Sequence, residues 1–357
     1  MSVRFLSFFI LPVWLVLATA PTAAGNGNNP VTGSKPVWVK DKVPALKTDS
    51  LTSEKYGSSC YLLVDVQENI AVRSTYVHYA IKLINNEGVQ NNSDISIDYD
   101  PASQKLVIHE INIYRDGKKT DELRLNKIKT IQRETEMDRF FYDGTITAYM
   151  NLRDVREGDI LEYSYTVTGY DSVLNGNFCK TFYMEYSVPV LDLYKSIIVP
   201  KTRNIYFGYP SGKAEPEKQD TGDAVRYEWE RKNVKARRIE NNVPAWYNGN
   251  LRVEASTIGT WKEVVDLFKE NYRVPESELT ELRKRTAGLF GDAGGDSVIT
   301  PVIRFVQDKI RYLAFEEGMD GHRPASPLTV LDTRYGDCKA KTLLICSLLR
   351  LNGIEAD

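Results

Sequence analysis

The chain has 357 residues, enough for two domains that each bury a core. Its 46 Lys and Arg almost balance 48 Asp and Glu, for a net charge of −2, and 42% of residues are hydrophobic. That balance excludes a basic nucleic-acid surface and an acidic tail, and four cysteines are too few to staple a chain of this size.

The N-terminus reads as a secretory signal over residues 1–24. Arg4 supplies the positive start, Phe5 to Ala18 is almost unbroken apolar sequence, and small residues follow. Pro21 disfavours cleavage after Ala20, so Ala24 is the expected site. The apolar run is short for a membrane span, which needs about 20 residues, and an uncleaved anchor is the alternative. Export is expected, to the periplasm if the host is Gram-negative. Residues 25–50, rich in Gly, Asn and Pro as far as Pro36, read as a flexible lead-in.

From about 51 to 250 the pattern is β. Tyr61–Val66, Tyr76–Ile84, Leu106–Tyr114, Ile160–Thr168 and Thr181–Val188 are rich in branched and aromatic residues. Asn86-Glu87-Gly88, Asp116-Gly117, Asp143-Gly144 and Gly158-Asp159 supply turns between them. Many strands without alternating helices predict antiparallel sheets in a sandwich-like arrangement, as one large unit or two. Cys60 and Cys179 lie here, either paired or as two packed thiols. The basic run from Arg231 to Arg238 reads as a solvated strand end.

Helical periodicity begins after Ser256. Thr260-Trp261-Lys262-Glu263 fits a capping box, and Trp261, Val264, Val265, Phe268 and Tyr272 share one face. A second helix is predicted over Glu278–Phe290, stopped by Gly291, with a Gly-rich linker to Gly295. Asp296 or Ser297 caps a third, with its stripe at Ile299, Val302, Ile303, Val306 and Ile310. The last helix starts near Cys338, is apolar almost all round, and stops at Gly353; Cys346 falls in its core. The fold class is therefore α+β and multidomain.

Asp337 is a good N-cap, which puts Cys338 in a first helical turn. Unpaired N–H groups there, with Lys339 and Lys341, favour a thiolate and can hold an oxyanion. Local physics leaves a nucleophile and a small packing residue equally open. His78 and His109 read as strand-face residues, and His322 as a loop residue rather than a base within hydrogen-bond reach of Cys338. No Cys/His cluster has metal-ligand spacing, and no cofactor is expected.

Several segments resemble the start of bacterial transglutaminase-like domains: Ile310-Arg311-Tyr312, Gly321-His322-Arg323-Pro324, Val330-Leu331, Arg334-Tyr335-Gly336-Asp337-Cys338-Lys339 and Leu351-Asn352-Gly353-Ile354-Glu355-Ala356. Thr260-Trp261-Lys262-Glu263-Val264 is similar to that domain's opening helix, and the β-rich part looks like the domain of unknown function that commonly precedes it in exported proteins. The resemblance implies a papain-like Cys-His-Asp arrangement with Cys338 as nucleophile and a protein or peptide amide as substrate. It also implies that the histidine and aspartate lie on strands after the last helix, so the domain over 256–357 is expected to be incomplete and the chain inactive as it stands. Ala340 departs from the acidic residue many relatives carry. The alternative is a non-catalytic exported binding protein with a remnant of that domain. No nucleic acid and no stable membrane span are expected in either case.

Overall fold

Branched and aromatic residues at alternate positions fit a pleated, half-buried surface, and here they build long strands. The computed structural model describes residues 29–132, 141–142, 144–170, 172–237, 242–244, 247–291, 295–315 and 321–357; the signal expected over 1–24 lies outside them. The chain opens with β1 (Val31–Thr32), the short helix α1 (Ser53–Tyr56), β2 (Ser59–Asn69) and β3 (Ser74–Leu83). Helix α2 (Asn86–Asn92) precedes β4 (Asp94–Tyr99) and β5 (Lys105–Arg115). The expected turn at Asn86-Glu87-Gly88 is thus a helix start, because the Asn85 side chain accepts from the Gly88 N–H at 3.1 Å. β6 (Lys118–Asp121) returns from β5 through Asp116 and Gly117, whose φ angles of 50° and 75° suit a tight hairpin.

β7 (Lys129–Gln132), β8 (Phe141–Tyr142), β9 (Ile146–Asn151) and β10 (Ile160–Thr168) follow. Then come β11 (Cys179–Tyr183), β12 (Val190–Pro200), β13 (Tyr206–Gly208), β14 (Glu217–Asp220), β15 (Ala224–Val234) and β16 (Arg252–Ser256). One nine-stranded sheet runs β1-β5-β10-β3-β2-β12-β15-β14, with β6 beside β5. Two three-stranded sheets, β4-β9-β7 and β11-β16-β13, accompany it. Pairing within these three sheets is antiparallel except that β12 runs parallel to β2 and β1 parallel to β5. Long excursions separate the partners in both pairs, so no hairpin dictates their direction.

The large sheet presents two unlike faces. One is apolar and aromatic. Leu193, Ile197 and Trp229 meet Phe182 and Val253 of β11 and β16 in one core cluster. Ile81, Ile111 and Leu161 meet Ile95, Ile97 and Ala148 of β4 and β9 in another. A single sheet therefore carries two cores on this face, which is why the pattern alone left one unit and two units open.

The other face is polar yet buried, with Asp65, Gln67, His78, Asn112, Glu162 and Arg226 all under 10% exposed. Part of the expected lead-in covers it. Lys40 exchanges hydrogen bonds with Gln67 at 2.9 and 2.7 Å, and Arg226 donates to the Trp38 carbonyl at 2.8 Å. Lys42 stands 4.2 Å over the Tyr194 ring. From Pro30 onward this segment is strapped to the sheet, since buried polar groups there need partners that a free tail would not supply.

The helical region comprises α3 (Trp261–Phe268), α4 (Glu276–Thr286), α5 (Ile299–Lys309), α6 (Pro327–Thr333) and α7 (Cys338–Leu351). α4 ends four residues before the expected Phe290, and Gly288, at φ 72°, takes the role given to Gly291. Asp296 and Ser297 lie in a 3₁₀ turn ahead of α5 and do not cap it. α7 is the expected centre: Leu344 and Leu348 pack with Leu282, Val302, Val306 and Val330. No described helix is long and apolar enough to cross a membrane.

Candidate functional site

Helix α6 ends at Arg334, which adopts the left-handed conformation at φ 59° and lies 5.5 Å over the Phe305 ring. The chain then runs straight into β19 (Tyr335–Gly336), parallel to β17 (Arg311–Tyr312). The Arg311 N–H donates to the Arg334 carbonyl at 2.8 Å, and the Leu313 N–H to the Gly336 carbonyl at 3.2 Å. Space at Gly336 is tight: a Cβ there would stand 3.2 Å from Ala340 and 3.4 Å from Val330, so these neighbours would have to give by a few tenths of an ångström. Downstream of β17, β18 (Ala314–Phe315) pairs with β8 and ties this region to the strand-rich one.

Asp337 caps α7 as expected, its Oδ1 accepting from the Ala340 N–H at 2.8 Å while buried to 6% exposure. Cys338 begins the helix and is exposed. No hydrogen bond joins its Sγ to a histidine among the described residues. His322 lies in the loop before α6 and stacks on Phe268, ring centroids 5.4 Å apart. His78 bonds Glu162, and His109 bonds the Gly33 carbonyl and Thr166, both on strands.

The two lysines expected to raise the potential at Cys338 are committed elsewhere. Lys339 pairs with the Asp337 carboxylate, and Lys341 donates to the Ile310 carbonyl at 2.6 Å. Burial lowers the affinity of the Lys341 amine for its proton. Ala340 is buried in one core cluster with Val330 and Leu344.

A cleft of about 680 Å³ lies beside this segment. Asp337, Ala340 and Leu343, one helical face at a spacing of three, form one wall, while Arg273, Pro275 and Glu278 belong to another. Cys338 is one position round the helix from that wall. The other cysteines are free: Cys179 is exposed, and Cys60 and Cys346 are buried, so Cys60 and Cys179 form no disulfide. Burial pushes the Cys60 thiol up to about 12.

Two groupings were invisible in sequence. His78, Glu110 and Glu162, from β3, β5 and β10, bring their ligand-type atoms within 4.8 Å of one another. Their bonding is already extensive. Glu162 takes hydrogen bonds from His78 at 3.1 Å, Asn112 at 3.1 Å and Tyr114 at 2.6 Å, and Lys119 stands 3.5 Å from Glu110. Burial opposes the Glu162 charge, but these donors outweigh it and hold the carboxyl at about 2. The second grouping is a tyrosine-lined cleft at Lys195, whose only sequence signal is a lysine at an inward position between Leu193 and Ile197.

Residues 73–238 match the family described as a domain of unknown function with a solved structure, DUF3857, as expected for part of the strand-rich region. No curated protein matches the chain. Among solved structures, the fold is similar to a crystal structure named as a putative protease from Parabacteroides distasonis, with a TM-score of 0.68 and 15% sequence identity. That likeness covers 84% of this chain and 60% of the other, so the chain spans about 60% of the length of the structure it resembles in fold.

Proposed function

We propose that the chain belongs to an exported transglutaminase-like protein in which Cys338 is the nucleophile for acyl transfer from an amide. The observation that carries this reading is the Asp337-capped start of α7, which leaves Cys338 exposed in the first turn above a core of its own. The thiolate would attack the amide carbonyl of a glutamine side chain or peptide bond. The tetrahedral oxyanion would meet the positive N-terminal end of α7, and the protonated amine would leave an acyl-enzyme. Water then completes hydrolysis, and an amine completes crosslinking.

The general base is assigned by resemblance to a histidine on a strand beyond α7, oriented by an aspartate, since His78, His109 and His322 all have other partners. The same reading divides the chain into a signal (1–24), a lead-in (25–50), the β-rich domain (51–250) and the transglutaminase-like domain (from 256).

The test is made on the protein at its native length in its source organism. Incorporation of a fluorescent primary amine into casein, or hydrolysis of a glutaminyl peptide, is expected to vanish in Cys338→Ala and Cys338→Ser while the fold persists. Activity that survives Cys338→Ala overturns the proposal. Absence of both activities in the native-length protein would favour the second reading, a non-catalytic exported binding protein. The observation behind that reading is the cleft of about 450 Å³ in the β-rich region.

A further inference from the structure

The aromatic face of the large sheet is covered at both ends by the small sheets, and a cleft of about 450 Å³ lies between the two covers. Tyr79, Tyr165, Tyr183 and Tyr186 line it, and the first two belong to a wider run of ring contacts on the sheet. Tyr79 lies 5.6 Å from Tyr61 and 5.5 Å from Tyr163 between ring centroids, and Tyr163 and Tyr165 stack at 6.4 Å with planes 7° apart. Burial raises the phenols of Tyr79, Tyr165 and Tyr186, so the rings are neutral at physiological pH.

Lys195 projects into this cleft from β12 and is only 5% exposed. Its Nζ donates to the Tyr186 hydroxyl at 2.8 Å, and no ion pair reaches it among the described residues. An ammonium has three donors, so one neutral acceptor leaves a buried charge poorly compensated. Lys180, the other amine on the cleft, is different: it pairs with Glu68. The acid on the cleft wall, Asp98, is exposed and accepts from Thr147 at 2.6 Å.

We propose that this cleft binds a small organic carboxylate with a planar apolar body, its carboxylate on the Lys195 ammonium and its body against the Tyr79, Tyr165 and Tyr186 rings. The volume falls within the range of small-ligand sites, about 300–1,000 Å³. One ammonium and one phenol, without arginine, suit a monoanion better than a phosphate dianion. Flat neutral rings suit a planar body through offset and edge contacts. Burial, with Lys180 adding to it and Asp65 and Glu68 opposing, lowers Lys195 to about 7. A bound carboxylate would favour the protonated amine, so binding takes up a proton and strengthens as pH falls through neutrality.

The test is calorimetric titration of the purified chain with indole-3-acetate and with its neutral isostere indole-3-acetamide. The acetate should bind at least about tenfold more tightly than the amide near neutral pH, the scale of one charge-assisted hydrogen bond. The ratio should be larger near about pH 6 than near about pH 8. Lys195→Met should bring the two affinities together without lowering the melting temperature, because an apolar side chain replaces an underpaired charge. Tyr165→Ala should weaken both ligands and keep their ratio. Equal affinities in the unaltered protein, no binding of the acetate, or a pH-independent ratio would each overturn the proposal, whether or not the Met variant folds. None of these results bears on Cys338.

Discussion

The strand-rich and helical regions use their large aromatic side chains in opposite ways. In the first, Trp229 stacks on Phe182 at a centroid distance of 6.0 Å and meets Phe207 edge-on at 5.5 Å, between β11, β13 and β15. In the second, the apolar stripe of α3 is largely outward, with Trp261 83% and Val265 58% exposed. The helical core is instead aliphatic and gathers on α7. Amphipathic periodicity thus located helices in both sense and phase, but it did not tell which of them bury their apolar stripe.

The largest test of this contrast is truncation of one core side chain in each region. Phe182→Ala should cost about 3–5 kcal/mol and Leu344→Ala about 2–5 kcal/mol in urea unfolding, as expected for fully buried side chains. If the cores are energetically separate, each substitution moves its own transition. Movement of a single shared transition by both would show that the β8–β18 pairing couples the regions.

The next effect contrasts two carboxyls buried on the polar face of the large sheet through pH. Burial pushes Asp65 up to about 7, partly offset by its hydrogen bonds from Gln67, whereas an unfolded aspartate titrates near about 3.9. The folded state therefore holds the extra proton between those values. The stability it contributes is complete in acid and is lost as pH rises through about 7. Asp65→Asn should flatten that slope and stabilise the protein above neutrality by roughly 1–3 kcal/mol. Glu162, held at about 2, has the opposite sign, and its contribution disappears only as pH falls toward that value. Urea titrations across pH separate the two.

A smaller effect belongs to the start of α7. Asp337→Ala removes the acceptor for the Ala340 N–H and should cost about 1 kcal/mol. Thiol alkylation separates the two cysteines of α7, Cys338 and Cys346. Cys338 should react much faster than Cys346, which is buried; equal slow rates would remove the case for an accessible thiol.

Much of this was legible in sequence where one residue type has one structural use. Thr260 caps α3, its Oγ1 accepting from the Glu263 N–H at 3.2 Å, while the Glu263 carboxylate reaches back to the Gly259 N–H at 3.0 Å; α7 runs from Cys338 to Leu351 ahead of Gly353. Strands with dense branched residues, such as Ile160–Thr168, appear with the bounds expected. What remained hidden depends on distant partners. The parallel β2–β12 pairing, the strap over the polar face and the Lys195 cleft each join residues far apart in the chain, and no local period encodes such a register. The acceptor of Lys341 was hidden for the same reason, since it lies at Ile310, across the fold.

The smallest expected effect is the one that most sharply defines the two regions. Trp261→Ala removes the largest side chain of α3, and in a buried stripe it would cost about 3–5 kcal/mol. With 83% of its surface in water, Trp261 has little burial to lose, and alanine is a better helix former. The change should therefore stay within about 0.5 kcal/mol, as for other surface substitutions. A loss of several kcal/mol would mean that α3 docks its stripe in solution, and the helical region would then share the inward arrangement of the strand-rich one.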